Sequence, residues 1–115
     1  MPRASTTTDV FNAIAEPRRR EIVRMLAGGR ARSVGELVEA LKLSQPAVSK
    51  HLAVLRAVGL VSVQKVGKSR LYALNPSQLK PMHDWVRQFE KLWAGQLDRI
   101  KERAERKAKA RAERN

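Results

Sequence analysis

The stretch SQPAVSKHLAVLRAVGL, residues 44–60, contains a helix start, a helix stop and two chemically different faces. Ser44 suits the N-cap, where its hydroxyl can accept a hydrogen bond from an otherwise unpaired backbone N–H. Pro46 suits the first turn, and Gly59 offers the positive φ at which a helix ends. The stretch therefore predicts a helix over residues 44–58.

The two faces of this helix predict different surroundings. At about 100° per residue, one side gathers the apolar residues Val48, Leu52, Leu55 and Val58. The other side gathers small or polar residues, namely Pro46, Ser49, Lys50, Ala53 and Ala57. The first side is expected to pack on a core. The second can approach something crowded and negative, such as the major groove of DNA.

A shorter helix is predicted just before this one. Ser33 and Glu36 have the spacing of a capping box, and the apolar residues of 34–41 follow helical spacing. Lys42 and Leu43 then make a tight connection into Ser44. A helix, a short turn and a second helix with a small polar edge form the helix-turn-helix arrangement, in which the second helix enters the groove.

A β-hairpin is predicted directly after the second helix. Two β-prone runs, 60–66 and 69–74, flank Gly67 and Lys68, a pair that suits a two-residue type II′ turn. Lys65, Lys68 and Arg70 cluster at its tip, where they can reach phosphates or the minor groove. Such residues can also simply keep a hairpin tip soluble. The preceding helices favour a DNA-contacting wing.

Helices are also predicted at both ends of the chain. A first helix over 9–15, capped by Thr8, has an apolar side with Phe11 and Ile14, and Pro17 begins a second helix over 17–27. Its arginines, at 18–20 and 24, are interpreted as a solvated helix start in preference to phosphate contacts. A last helix runs from about residue 82 to beyond residue 104.

The last helix carries a wide apolar stripe that needs a partner. We predict a two-fold dimer interface formed by Phe11, Ile14, Trp85, Phe89, Leu92 and Trp93. A helix lying on a membrane surface would also show aromatic and basic residues. We rank this membrane-surface alternative lower because the stripe is needed to complete a small core.

Length and charge limit the classes of function. The chain has 115 residues and a formal net charge of +13, which favours a polyanionic partner. We predict one domain over 9–104, a disordered leader over 1–8 and a basic, frayed tail over 105–115. Residues 99–115 hold eight basic and three acidic residues, a net charge of 8 − 3 = +5 out of +13. The C-terminal segment therefore does not account for the whole charge.

Several classes of protein are disfavoured. The absence of cysteine excludes disulfides, thiolate metal ligands and a cysteine nucleophile. With two histidines and no phosphate-binding glycine loop, we do not expect an enzyme. No apolar run is long enough to span a bilayer and no signal peptide is evident, so we expect a cytoplasmic protein without a membrane partner.

In the order of its elements, nearly the whole chain resembles the ArsR-type winged helix-turn-helix regulators of bacteria and archaea. The resemblance lies in FNAIAEPRRREIVRML, SVGELVEAL, SQPAVSKHLAVLRAVGLV, VGKSRLYAL and WVRQFEKLW. It implies a mainly α fold with a small β-hairpin and helices at both ends forming a dimer interface. It also implies a homodimer that binds a palindromic operator and usually represses transcription, with an effector that typically lowers DNA affinity.

The chain departs from the best-known members of that family at their metal sites. The segment GELVEAL has no cysteine, and the last helix offers only His83 and Asp84. Two residues cannot complete a tetrahedral site, although a dimer could supply two more. We expect His83 to be an exposed residue at a helix start, and we expect no metal or cofactor. The effector stays unknown at this stage.

These patterns assign roles on double-stranded DNA. We place Ser44, Gln45, Ala47, Ser49 and Lys50 at the groove. Gln45 can pair with adenine, Ser49 with either kind of base and Ala47 with a thymine methyl. Lys50 and Arg56 suit phosphates, whereas His51 on the flank suits a structural role at least as well. The rival hypothesis is an architectural DNA- or RNA-binding protein without an operator, which would leave the small polar face unused.

Overall fold

The computed structural model describes residues 9–114, so the leader 1–8, with Thr8, and Asn115 lie outside the described residues. The elements in chain order are α1 (Val10–Ala15), α2 (Pro17–Leu26), β1 (Arg32–Ser33), α3 (Val34–Leu41), α4 (Gln45–Ala57), β2 (Val61–Val66), β3 (Ser69–Leu74), a 3-10 helix (Pro76–Leu79), α5 (Lys80–Arg87) and α6 (Glu90–Arg114). The predicted winged helix-turn-helix fold is confirmed.

The chain divides into two compact units, Met1–Met82 and His83–Asn115. The boundary lies inside α5, whereas the sequence analysis predicts one domain over 9–104, which stays a prediction. No helix of the described range is long and apolar enough to cross a membrane.

Side-chain caps fix the starts of the first two helices. An oxygen of the Asp9 carboxylate accepts a hydrogen bond from the backbone N–H of Phe11 at 2.8 Å, so Asp9 is the N-cap of α1. Glu16 separates the two helices, and its Oε2 accepts from the backbone N–H of Arg19 at 3.0 Å. Pro17 follows in the first turn of α2, as predicted.

Two arginines of α2 hold the end of α1. Arg19 Nε donates to the Ala13 carbonyl at 2.5 Å, and Arg20 Nη1 donates to the carbonyls of Ile14 at 2.8 Å and Ala15 at 2.9 Å. These carbonyls have no partner within a helix that ends at residue 15. The prediction of a merely solvated arginine cluster is therefore wrong for these two residues.

The helix-turn-helix follows the predicted bounds closely. In the capping box of α3, Ser33 Oγ accepts from Glu36 N at 3.2 Å and Glu36 Oε1 accepts from Ser33 N at 3.1 Å. Lys42 ends α3 with a φ of 56°. Lys42 thus adopts the left-handed conformation at a position where such turns often carry glycine. Ser44 Oγ then accepts from Ala47 N at 3.3 Å and caps α4.

The predicted hairpin is part of a three-stranded antiparallel sheet in the order β1-β3-β2. Strand β1 pairs Arg32 with Tyr72 and Ser33 with Leu71. Because β1 is two residues long, it has no alternating pattern that sequence analysis could detect. Ser33 ends β1 and caps α3 at once, so the sheet leads directly into the helix-turn-helix.

One core joins the helices and the sheet in the first unit. The largest of the side chains that are almost wholly inaccessible to water are Ile22, Leu37, Val48, Leu52, Leu55 and Leu60. Three of these six belong to α4, as its predicted apolar side requires. Val58, the fourth residue of that side, is half-buried.

The last helix, predicted to run from about residue 82 to beyond residue 104, is interrupted. The helix begins at Lys80 and breaks at residues 88–89, where the backbone N–H of Phe89 donates to the Val86 carbonyl at 2.9 Å, three residues back. α6 then continues to Arg114, so residues 105–114 are helical. Their alanine, lysine, arginine and glutamate all favour helix, even without tertiary contacts. Fraying of this tail stays a prediction.

Gly59 joins α4 to the sheet in a conformation that disfavours side chains. Its φ is 80°, and its backbone N–H donates to the Arg56 carbonyl at 3.0 Å. The Gly59 carbonyl accepts from the Asn75 side-chain amide at 3.0 Å, which ties the end of β3 to the end of α4. A Cβ here would meet the Gln78 side chain only at ordinary contact distance, 3.6 Å.

We therefore expect Gly59→Ala to lower the free energy of unfolding by about 1–2 kcal/mol through backbone strain alone. Gly35→Ala is the matched control, because Gly35 is exposed within α3 and a Cβ there would have room. It should leave stability unchanged or raise it by up to about 1 kcal/mol. Urea unfolding measures both. Equal effects of the two changes would contradict the role given to the positive φ.

Candidate DNA-binding interface

The N-terminal half of α4 presents an exposed edge opposite its buried side. Gln45, Ser49 and Lys50 are exposed, and so is Arg56 further along the helix. Within residues 9–114, none of these four side chains makes a hydrogen bond or ion pair. They are held on a rigid helix by buried neighbours, yet their polar groups are available to another molecule.

Ser44 and Ala47 are less available than the other predicted readers. The Ser44 hydroxyl is exposed but already accepts the capping hydrogen bond, which leaves its hydrogen to donate. Ala47 is half-buried, on the flank of α4 that it shares with His51. The predicted contact of Ala47 with a thymine methyl stays a prediction.

His51 faces the junction of α1 and α2. Its side chain is 21% exposed, and its Nδ1 lies 3.8 Å from Glu16 Oε2, a contact that is an ion pair only when the imidazole is protonated. Burial raises the pKa of Glu16, but the backbone N–H groups of Arg19 and Arg18, with the nearby charges, outweigh it and hold the pKa below its ordinary value. This geometry favours the structural role of His51 over a DNA contact.

The wing brings two predicted contact residues together. Lys65 and Arg70 are paired across β2 and β3, so their side chains lie on the same face of the sheet. Both are exposed, and neither forms an ion pair in the described part of the chain. Like charges directly opposite each other destabilise a sheet. The sequence predicts both residues at the tip, but only the strand register shows that they share a face.

The turn of the wing has the predicted geometry. Gly67 has a φ of 63°, and Lys68 is not among the residues with positive φ, as a type II′ turn requires. Lys68 is exposed at this turn, and Val66 beside it is 51% exposed. The wing therefore projects one further cation and one apolar side chain beyond the core.

The predicted dimerisation residues are distributed over both units. Phe11 of α1 is exposed and Ile14 is half-buried. Ile14 lines a groove of about 240 Å³ in the first unit, with apolar walls and two arginines, together with Arg20, Val23, Arg24, Leu79 and Met82. The four predicted residues of the second unit are all more than 40% exposed: Trp85, Phe89, Leu92 and Trp93.

The second unit also contains apolar side chains that the predicted interface omitted. Leu97 is 53% exposed and Ile100 is 60% exposed, although both belong to the apolar stripe of α6. The Trp85 and Phe89 rings meet edge to face, with centroids 5.1 Å apart. Neither α5 nor α6 buries a single residue. The exposed apolar surface of this unit is thus more extensive than the predicted set.

His83 and Asp84 are the pair that the sequence offers as metal ligands. His83 Nδ1 lies 3.6 Å from Asp84 Oδ1, and both side chains are more than half exposed. Across residues 9–114, no group of three or more histidine, cysteine, aspartate or glutamate side chains could hold a metal ion. The expectation that the protein uses no metal stays a prediction.

Comparison with known proteins identifies the same architecture. The sequence model described as "Bacterial regulatory protein, arsR family" matches residues 16–63. Transcriptional repressor SdpR of Bacillus subtilis is 33% identical over 81 residues, which cover 70% of this chain and 89% of SdpR. Transcriptional activator HlyU of Vibrio cholerae is 42% identical over 73 residues, which cover 64% of this chain and 67% of HlyU.

A solved structure extends the similarity over most of the chain. The ArsR-like transcriptional regulator from Rhodococcus sp. RHA1 superposes with a TM-score of 0.66 at 32% identity, over 88% of this chain and 92% of that one. The chain therefore belongs to the ArsR family of winged helix-turn-helix, DNA-binding transcriptional regulators.

Proposed function

We propose that this regulator binds a palindromic operator as a homodimer, with α4 in the major groove and the wing, residues 65–70, beside it. The observation that carries the proposal is the exposed polar edge of α4 between Gln45 and Lys50. Its polar groups have no partner in the described structure, while Val48, Leu52 and Leu55 on the opposite side of the same helix are buried.

The chemistry of this edge suits direct readout of bases. The Gln45 amide offers a donor and an acceptor at once, which match adenine N7 and N6, and the Ser49 hydroxyl can serve either kind of base. Lys50 and Arg56 carry longer, cationic side chains that suit phosphates at the groove walls. Ser44 can also donate its hydroxyl hydrogen to the DNA. Readout is thus concentrated in the first turns of α4.

The wing supplies a second contact with the same duplex. Lys65 and Arg70 repel each other across the strands, and a phosphate between or beside them would turn that repulsion into attraction. Lys68 extends the positive charge to the turn. Charges of this kind hold the protein on DNA without selecting a sequence. Sequence specificity is thus proposed to come from α4, and sequence-independent affinity from the wing.

The homodimer is supported by the apolar surface that one chain leaves exposed. Leu92 is 71% exposed and Trp85 is 53% exposed, and three further large apolar residues follow on α6. Monomeric proteins rarely expose contiguous apolar surface on this scale. A second copy offers the same surface in return, and a two-fold dimer matches the two-fold symmetry of a palindrome. Phe11 and Ile14 of α1 are proposed to complete the interface.

For the sign of regulation, we propose repression. The name of SdpR supports repression, whereas the name of HlyU shows that a relative can activate. Transcription from the bound promoter, measured with and without the protein, tests this point. An increase in transcript on adding the protein would reverse the proposed sign and leave the DNA-binding proposal intact.

The test of the whole proposal is to select fragments of genomic DNA bound by the full chain and to read their common motif. We expect a palindrome whose half-sites lie about one helical turn, 10–10.5 base pairs, apart. Footprinting on a selected fragment should show a short symmetric protected region. Uniform coating of the DNA, without a common motif, would contradict sequence-specific binding and favour the architectural alternative.

Gln45→Ala should relax sequence preference at one base pair per half-site by about 1–3 kcal/mol. Lys68→Ala should instead weaken all sequences alike and reduce the slope of log K against log salt by about 1. Gln78→Ala is the matched control, because Gln78 is also exposed but lies beside Gly59, at the opposite end of α4. Equal loss of operator and random DNA binding by Gln45→Ala would remove Gln45 from the readout.

Leu92→Asp should convert the dimer to a monomer, because a carboxylate would have to be buried in an apolar interface. Since Leu92 is 71% exposed in one chain, the change should leave the fold of that chain intact. Val66→Asp is the control, an equally apolar exposed residue on the wing. Sedimentation measures the mass of each. A Leu92→Asp protein that remains dimeric would place the interface elsewhere.

A further inference from the structure

The C-terminal half of α6 carries its cations along one side. Arg99, Arg103, Lys107 and Arg111 recur at intervals of four, and Arg106 and Arg114 lie beside them. We call these six residues the basic stripe. At about 100° per residue the stripe spans about 140° of the helix circumference. All six side chains are exposed.

The core of this stripe is not neutralised by its own helix. Ion pairs on a helix surface form between residues three or four positions apart. Arg103, Lys107 and Arg111 have no acidic residue at any of those positions. No stripe residue forms an ion pair in the described range.

Two other lysines of α6 show the contrast. Lys101 and Lys109 each lie four positions from Glu105, and Lys101 Nζ reaches Glu105 Oε1 at 4.0 Å. The acidic residues Asp98, Glu102, Glu105 and Glu113 cover about 80° along one edge of the stripe, where Glu102 lies three positions from Arg99 and four from Arg106. The same helix therefore pairs some of its cations and leaves others facing water together.

The stripe opposes the folding of the helix that carries it. Arg99, Arg103, Lys107 and Arg111 form three successive like-charge pairs at the four-residue spacing that destabilises helices. No buried contact compensates, because α6 buries no residue. A polyanion lying along the stripe would remove this repulsion and add attraction.

We propose that the basic stripe of α6 is a second DNA-contacting surface, which binds phosphates of the duplex flanking the operator and reads no bases. The inference rests on the proposed operator binding and adds to it a sequence-independent contact. Guanidinium groups match phosphate oxygens in two-pronged hydrogen bonds. Successive members of the four-residue ladder rise about 6 Å along the helix, so each can reach a different phosphate.

Duplex DNA fits this surface better than a membrane does. A helix that lies on a membrane buries an apolar face with large side chains. Beyond Ile100 the only apolar residues of α6 are alanines. The stripe therefore offers charge without an apolar face, which suits a phosphate backbone.

The test compares two double variants of the full chain. Arg103→Gln with Arg111→Gln removes two stripe charges, and Lys101→Gln with Lys109→Gln removes two charges from outside the stripe. Both pairs are eight residues apart, and glutamine favours helix about as well as lysine and arginine. Far-ultraviolet circular dichroism should show no loss of helix content in the stripe variant, because the change removes the three like-charge pairs.

Affinity is measured against salt on two duplexes, the selected operator alone and the operator with about 20 extra base pairs, two helical turns, on each side. On the longer duplex, the stripe variant should lose about 2 from the slope of log K against log salt for each bound chain, at about 0.9 per phosphate contact. The control variant should keep the wild-type slope. On the trimmed duplex all three proteins should agree.

An unchanged slope of the stripe variant on the longer duplex, with operator preference intact, would overturn the stripe proposal and leave the proposed function standing. If the wild type shows no operator preference, the proposed function fails, and the same slopes on random duplex then decide the stripe. Binding to vesicles of phosphatidylserine and phosphatidylcholine is measured in parallel. Loss of vesicle binding by the stripe variant, without a change on DNA, would also overturn the proposal.

Discussion

The burial of Val48, Leu52 and Leu55 is the constraint on which the rest of the structure depends. These side chains are at most 1% exposed, and they fix the rotation of α4 about its own axis. A turn of one residue, about 100°, would expose them and bury polar groups without partners. The outward position of Gln45 and Ser49 is therefore a consequence of core packing.

Local stability is given up at two basic surfaces of the chain. Lys65 and Arg70 face each other across the wing, and the cations of α6 repeat at a spacing that makes them repel. Neither arrangement helps the isolated chain to fold. An anionic surface against either one would turn this repulsion into attraction, which is the physical basis of the two proposed DNA contacts. Part of the net charge of +13 is thus placed on two defined surfaces, in addition to attracting polyanions in general.

Sequence predicted best the features that depend on one or two adjacent residues. The caps at Ser33 and Ser44 and the stop at Gly59 are local chemical signals, and each appears where it was expected. Sequence missed features that depend on residues distant along the chain. Strand β1 exists only because Arg32 and Ser33 meet β3, and the shared face of Lys65 and Arg70 depends on register. The capping of α1 by Arg19 and Arg20 likewise depends on how α2 packs against α1, which the pattern of either helix alone does not predict.

The two faces of α4 also differ in how well they tolerate substitution. Gln45 and Ser49 are exposed, and their side chains make no hydrogen bond or ion pair within residues 9–114, so substitutions there should alter stability by less than about 0.5 kcal/mol. Truncating Leu52 would instead cost about 2–5 kcal/mol and loosen the helix that holds the proposed base-reading residues. His51 stands between these cases, since its contact with Glu16 ties α4 to the α1–α2 junction. Sequence preference can therefore diverge among proteins of this fold without a change in the core that positions it.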